Sequence, residues 1–296
     1  KMENTIESIL ESAGTKEINL YFLLGADYLQ KTVGAEAVRI GFATENVHFT
    51  TENTKRHDLA GKVYMCSDEL LYRHRNRSMP TVYHEQTRTK NFTALVRTHK
   101  QWRAYTMAKL WSKGLHEHGY FGYNNLITVE EDTPVIDIEN FGSLKHHTEF
   151  FLKLCPFHCD LLTADEHADM KWTVGLHHSD AYFNFVIESN LTGPVRLTEK
   201  VFKPIKNCQP FVIAGARGSV QQLRDMGYRT FDTVVDHSYD SIEDPTQRWE
   251  AVTDEMCRIA KSKKTYQMYT ECKEDLLHNQ NLFLNRKSET ILICLK

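Results

Sequence analysis

Residues 181–218 read AYFNFVIESNLTGPVRLTEKVFKPIKNCQPFVIAGARG, and this stretch decides the fold. Residues 183–187 are a continuous apolar run that ends in Glu188. A parallel strand covered by helices on both faces has this pattern. A short polar loop follows, then Thr198-Glu199-Lys200, a helix-like segment through Lys203, a second apolar strand at 211–214 and the turn Gly215-Ala-Arg-Gly218. Strand, loop, helix, strand is the repeating unit of α/β folds, which bind ligands at the carboxyl ends of their strands. Glu188 and Glu199 suit ribose hydroxyls as acceptors, while Lys200 suits phosphate, so the stretch points to a nucleotide-bearing ligand. The glycine turn lacks the Lys-Ser/Thr of a P-loop and reads as a tight strand-to-helix turn that can approach phosphate.

Upstream, residues 92–96 form a second strand candidate running into Arg97-Thr98-His99, and 101–115 carry helical periodicity. Arg97, Lys100 and Arg103 surround the start of that helix. Cations there oppose the helix dipole, and an anionic partner explains them. The N-terminal region offers a helix at 4–12, a strand at 18–24 closing on Gly25-Ala26-Asp27, strands at 37–42 and 62–66, and a weaker one at 81–83. Residues 124–128 and 134–138 read as loops with one short strand. Downstream, the pattern predicts a helix at 146–154, central parallel strands at 182–187 and 210–214, a helix at 220–226 and a strand near 234–235. Amphipathic helices follow at 245–261 and 271–283, then a strand or helix at 290–295. The chain thus predicts an α/β fold with two parallel-sheet units: an N-terminal domain at 1–88, a ligand-binding domain at 89–275, and a segment at 276–296 crossing back to the first.

The composition is that of an ordinary globular protein, with 41% hydrophobic and 25% charged residues in 296. No apolar run approaches the ~20 residues of a membrane span, and the first residues hold no signal-type apolar core. Seven cysteines, an odd number, fit free thiols in a reducing cytoplasm better than a disulfide framework. Cys155 and Cys159 have no second ligand pair to complete a zinc site, so no metal is expected. The net charge of −3 conceals an asymmetry: residues 53–113 hold 13 Lys and Arg against four acids, a net of +9. The remainder carries −3 − 9 = −12. A basic block of this kind suits a polyanionic partner or serves as a solvated face.

Several of these segments resemble the donor-binding half of α1,3-fucosyltransferase-type glycosyltransferases. They are residues 91–97 with Arg103, Phe185-Val-Ile-Glu188-Ser-Asn190, Thr198-Glu199-Lys200 and Pro210-Phe-Val-Ile-Ala-Gly215. The chain is also similar to uncharacterised, often phage-encoded proteins with TEK-x-x-KPI, PF-x-x-x-G, L-R-x-x-G-[FY]-x-TF and S-Y-D-x-I-E-D-P motifs. These motifs stand here at 198–205, 210–215, 223–231 and 238–245. The resemblance implies two Rossmann-like domains facing across a cleft (GT-B-like) and a UDP- or GDP-sugar donor rather than a resident cofactor. It implies donor binding by Arg97, Arg103, Glu188, Thr198, Glu199, Lys200, Lys203 and Gly215, with Lys200 also catalytic as charge develops on the leaving diphosphate. Ser189 departs from the family's Asn, and the family's base motif has no match.

Glycosyl transfer also needs a base for the acceptor hydroxyl. Asp27, after the first strand, and Glu52, in the loop Thr50-Thr-Glu-Asn53, are the candidates, with His84 and His99 as further proton carriers. The basic block makes a polyanionic acceptor plausible: a hydroxylated pyrimidine in double-stranded phage DNA, flipped from the stack, or a surface glycan or lipopolysaccharide at an anionic membrane. A module that binds nucleotide or nucleic acid without catalysis is the remaining alternative.

Overall fold

The computed structural model describes residues 18–22, 47–51, 79–126, 136–158, 175–193, 195–285 and 290–293. Strands β1 (Ile18–Phe22), β2 (Val47–Thr51), β3 (Lys90–Thr98), β4 (Gly119–Leu126), β5 (Ala181–Ile187), β6 (Phe211–Ala214) and β7 (Thr290–Ile293) are all parallel to their neighbours. The helices used below are α1 (Gln101–Ser112), α2 (Leu144–Leu154), α3 (Glu199–Lys206), α4 (Ser219–Asp225), α5 (Pro245–Lys261), α6 (Thr265–Glu271) and α7 (Lys273–Asn285). The chain divides into two compact units, residues 1–70 with 286–296, and residues 71–285. In the first, β1 lies between β2 and β7, so the chain returns to this sheet after α7.

The second unit is an α/β fold around a four-stranded sheet in the order β4-β3-β5-β6. From β3 the chain crosses by α1 to β4 on one side; from β5 it crosses by α3 to β6 on the other. The direction of winding therefore reverses between β3 and β5, which makes their carboxyl ends a topological switch point.

Packing explains why these residues form these elements. Every residue of β5 is buried, and its Phe185 stacks on Phe92 of β3 at 4.5 Å. A Cβ on Gly119 would come within 2.5 Å of the Phe92 ring, so glycine at the start of β4 lets the two strands pair. Helix α5 starts at an Asp244 cap, which accepts from Gln247 N at 2.8 Å. It buries Trp249, Val252, Met256 and Ile259, the stripe its periodicity predicts. The Trp249 indole donates to Thr106 Oγ1 of α1 at 2.8 Å, so its polar atom is satisfied inside the core.

Several expectations need correction. Strand β2 was missed, and Thr50 and Thr51 end that strand instead of opening a loop; their polarity hid the β preference of Val47, Thr50 and Thr51. Strand β4 covers Gly119–Leu126: residues 124–126, expected as irregular chain, end a strand whose first part was assigned no element. The strand ending at Ala214 is an edge strand among the described residues, continuous in apolar character because it is fully buried. No strand forms at 234–235: the amides of Val234 and Val235 both donate to Phe231 O, closing a turn in which Phe231 has φ 65°. The helix expected at 271–283 is α7, and a further helix that was not expected, α6, precedes it with the break at Cys272.

Residues 79–88, assigned from sequence to the N-terminal domain, lie against the second unit. Asn207 Oδ1 accepts from Thr81 N and Oγ1, and Arg88 donates to Tyr269 Oη at 2.6 Å and Ala181 O at 2.7 Å. The predicted elements at 4–12, 37–42 and 62–66 lie outside the described residues. No described helix is long and apolar enough to cross a membrane.

Candidate functional site at the switch point

The residue after β5 is Glu188, only 1% exposed. Its carboxylate accepts from Thr198 N at 3.0 Å and from Thr198 Oγ1 at 2.6 Å. Thr198 is the N-cap of α3, and its hydroxyl also accepts from Lys200 N. The strand end and the helix start are thereby fixed to each other. From that helix start Lys200 reaches back: Nζ lies 3.0 Å from Thr198 Oγ1, 3.4 Å from Ser189 Oγ, 3.6 Å from Glu199 Oε1 and 3.8 Å from Glu188 Oε2. Glu199 is buried with Glu188, whereas the Lys200 side chain keeps 27% of its surface exposed. The exposed member of the cluster is its cation.

Across the switch point, Arg103 in the first turn of α1 is 3% exposed. Its Nε and Nη2 donate to Glu188 O at 2.8 and 2.6 Å, and Nη1 donates to Thr98 O at 3.1 Å. The guanidinium thus bridges the carboxyl ends of β3 and β5, so Arg103 shapes the crevice floor through backbone carbonyls. Lys100 donates from Nζ to Asn190 Oδ1 at 3.4 Å, placing another cation over the loop after β5. Arg97, at the end of β3, is half-buried; its Nε is enclosed and makes no hydrogen bond. Gly215, after β6, is the third strand-end residue. A Cβ there would come within 3.5 Å of Glu188 Cβ and 2.9 Å of Ser219 Oγ, so its bareness permits the close approach.

Three helices start at this edge, and they differ. Helix α3 has its cap in Thr198. Helix α4 begins with Val220 N and Gln221 N donating to the Asp240 carboxylate at 3.1 and 3.0 Å. That carboxylate occupies the place where the Gly215–Gly218 turn was expected to approach phosphate. Helix α1 has no side-chain cap, with Lys100 as an extended N-cap residue and no acid in its first turn. Its positive dipole end lies close along the chain to Arg97 and Lys100.

The structure therefore brings Arg97, Arg103, Glu188, Thr198, Glu199, Lys200 and Gly215 to one strand-end crevice. Lys203 is not part of it: one turn along α3 it is buried, and its charge helps to depress the pKa of His178 near the start of β5. Asp27 and Glu52 lie outside the described residues. No described cluster of His, Cys, Asp and Glu could hold a metal ion.

Sequence reading missed two residues here. Arg248 of α5 donates to Leu191 O at 2.6 Å, Ile242 O at 2.6 Å, Glu243 O at 3.0 Å and Gly215 O at 3.4 Å, pinning the loops after β5 and β6. Burial lowers its pKa. Asp240 lies in the acidic stretch 236–244, whose sequence reads as a loop capping the helix at 245; Asp244 does that, while Asp240 caps α4. No protein-family model matches this chain, and no curated protein matches it.

Proposed function

We propose that the second unit binds a nucleotide diphosphate sugar, UDP- or GDP-linked, at the switch point, and that the protein transfers the glycosyl group to a hydroxyl acceptor. The observation that carries this reading is the convergence, at one reversal of strand order, of the partly exposed Lys200 side chain with the start of α1, where the N-cap side chain makes no capping bond and the first turn holds no acid. Open α/β sheets take their ligands in this crevice, and both features favour a diphosphate. Departure of the diphosphate builds negative charge on its bridging oxygen. Lys200, Arg97 and the helix dipole stabilise that charge, so the transfer needs no metal at the leaving group. Glu199 supplies an acceptor for a ribose hydroxyl, Glu188 orients the donor through the Thr198 it holds, and Arg103 holds the two strand ends at the spacing the ligand spans. In the GT-B-like arrangement we favour, the acceptor base is Asp27 or Glu52 and the outcome is inversion.

The acceptor follows less directly. The basic stretch at 53–113 suits duplex DNA bearing a hydroxylated pyrimidine, or a surface glycan on an anionic membrane. Three of its 13 cations, Arg88, Arg103 and Lys109, are buried in the second unit's own contacts and contribute nothing to such a surface. A binding module without transfer chemistry draws support from Glu188, whose carboxylate is committed to Thr198.

A melting-shift screen of uridine, guanosine and cytidine diphosphate sugars tests the reading. One nucleotide class is expected to raise the midpoint of the wild type and leave Lys200→Ala unmoved. Equal shifts in both proteins remove Lys200 from the site. Release of free diphosphate only when an acceptor is added separates the transferase from the binding module. Asp27→Asn and Glu52→Gln, compared at saturating donor, identify the base.

A further inference from the structure

At the ends of β3 and β4 three irregularities coincide. Val96 pairs with Tyr123 and Thr98 with Leu126, so β4 carries one extra residue opposite Arg97. Asn125, within that bulge, has φ 50°, a left-handed conformation uncommon outside glycine. Bulges of this kind re-aim side chains and gather beside functional sites. Arg97, facing the bulge in register, keeps a buried Nε with no acceptor, and unlike the sealed Arg88 it is half-buried at a strand end, where a ligand oxygen can reach it.

His99 follows directly, in the link between β3 and α1. Its Nδ1 lies 2.8 Å from Tyr123 Oη, and the two rings meet edge-on at 6.2 Å. Tyr123 cannot drift: it is fully buried, and its backbone is bridged to Phe157 by bonds of 2.7 and 2.9 Å. The phenol therefore fixes the imidazole plane. Nε2, on the opposite side of a half-buried ring, makes no hydrogen bond within the described residues. The charged neighbours along the chain, Arg97, Lys100 and Arg103, are all cations.

We infer that His99 is a ligand contact of this crevice: the Tyr123 hydroxyl donates to Nδ1, and the resulting Nε2–H donates to a phosphate oxygen of the bound diphosphate. The inference rests on the proposed occupancy of the crevice by a diphosphate. With Tyr123 as donor, the neutral ring presents a proton at Nε2, so His99 acts as a hydrogen-bond donor and not as the base of the reaction. Arg97, held beside it, fills its vacant donor on the same group.

The test uses the whole chain with inorganic pyrophosphate as probe, followed by imidazole nitrogen resonances assigned through His99→Gln. Pyrophosphate is expected to shift the Nε2 resonance of His99 and leave Nδ1 nearly still. His99→Gln is expected to weaken pyrophosphate binding about tenfold. Tyr123→Phe should redistribute the two tautomers of His99 and weaken binding severalfold, a signature that a purely structural role of the phenol would not produce. If pyrophosphate binds the wild type and is lost in Lys200→Ala, but His99 does not shift and His99→Gln binds normally, the role of His99 is overturned and the crevice stands. If pyrophosphate does not bind the wild type at all, both are overturned.

Discussion

The two ends of the four-stranded sheet carry polar clusters of similar size and opposite character. At the amino end, Arg88 donates to the carbonyls of Ala181 and His178 and to the Tyr269 hydroxyl, and its guanidinium lies 4.1 Å from the Tyr269 ring. Gln209 spans Ala181 O, Phe183 O, Asn184 Nδ2 and His178 Nδ1. Asp180 accepts from Thr89 and Tyr120. Apart from the buried Nε of Arg88, which has no acceptor, these groups are matched against one another across strand starts, and their cation is sealed inside. At the carboxyl end the buried acids and Arg103 are matched in the same way, but Lys200 remains partly exposed and the N-cap side chain of α1 makes no capping bond. A buried polar group that is satisfied internally stabilises the fold, whereas donors left open at a strand end are available to a ligand.

The sharpest way to break this contrast is to exchange its effects. Arg88→Met removes the donor for two carbonyls and a phenol in a closed site, and is expected to cost about 3 kcal/mol of stability by denaturant titration. Binding of a nucleotide diphosphate by the folded fraction should be unchanged. Lys200→Ala should do the reverse, weakening the nucleotide diphosphate at least about tenfold by calorimetry. Its loss of stability should be smaller than that of Arg88→Met, since Lys200 is partly exposed although the carboxylates it leaves behind are buried. If Lys200→Ala instead unfolds the protein while Arg88→Met abolishes binding, the assignment of the two ends is inverted.

Acid pH probes the closed end by itself. His178 is fully enclosed, and burial first, then its neighbours His177 and Lys203, hold its pKa well below the ordinary 6.5. His237, likewise buried, is shifted the same way. The folded state therefore disfavours protons that the unfolded chain binds readily. Stability is full above pH 6.5 and is lost progressively as the pH falls below it. His178→Gln, which keeps a partner for Gln209, should flatten that part of the melting-versus-pH curve. An unchanged slope would place the acid sensitivity elsewhere.

Much of this contrast was legible in the residue order, and the reasons are local. The apolar run of β5 ending in Glu188, the Thr198 cap and the Arg-led α1 each follow from neighbours a few positions apart. Their convergence does not: it depends on strand order β4-β3-β5-β6, and β4 was missed, since its start at Gly119 depends on packing against Phe92. Arg103 was expected to meet phosphate because its helix position allows it. Whether its guanidinium faces ligand or backbone depends on the distance to Glu188 O across the sheet, 85 residues away in the chain. Arg248 was invisible for the same reason, since its partners are all carbonyls, which no residue type reports.

The smallest expected effect concerns Asp240, which separates the two helix starts flanking the crevice. Its carboxylate fills the start of α4, while the N-cap side chain of α1 makes no capping bond and its first turn holds no acid. Asp240→Asn keeps an oxygen for Val220 N but removes the charge at the dipole's positive end, a loss of roughly 0.5–1 kcal/mol in unfolding free energy. If the diphosphate lies at α1, its affinity should be indifferent to this change. A clear gain in affinity would mean that Asp240 had been holding a phosphate position closed, and the ligand would then be drawn toward the Gly215–Gly218 turn. The α1 assignment survives only the first outcome, because a carboxylate and a phosphate compete for the same N–H groups and cannot both be bound there.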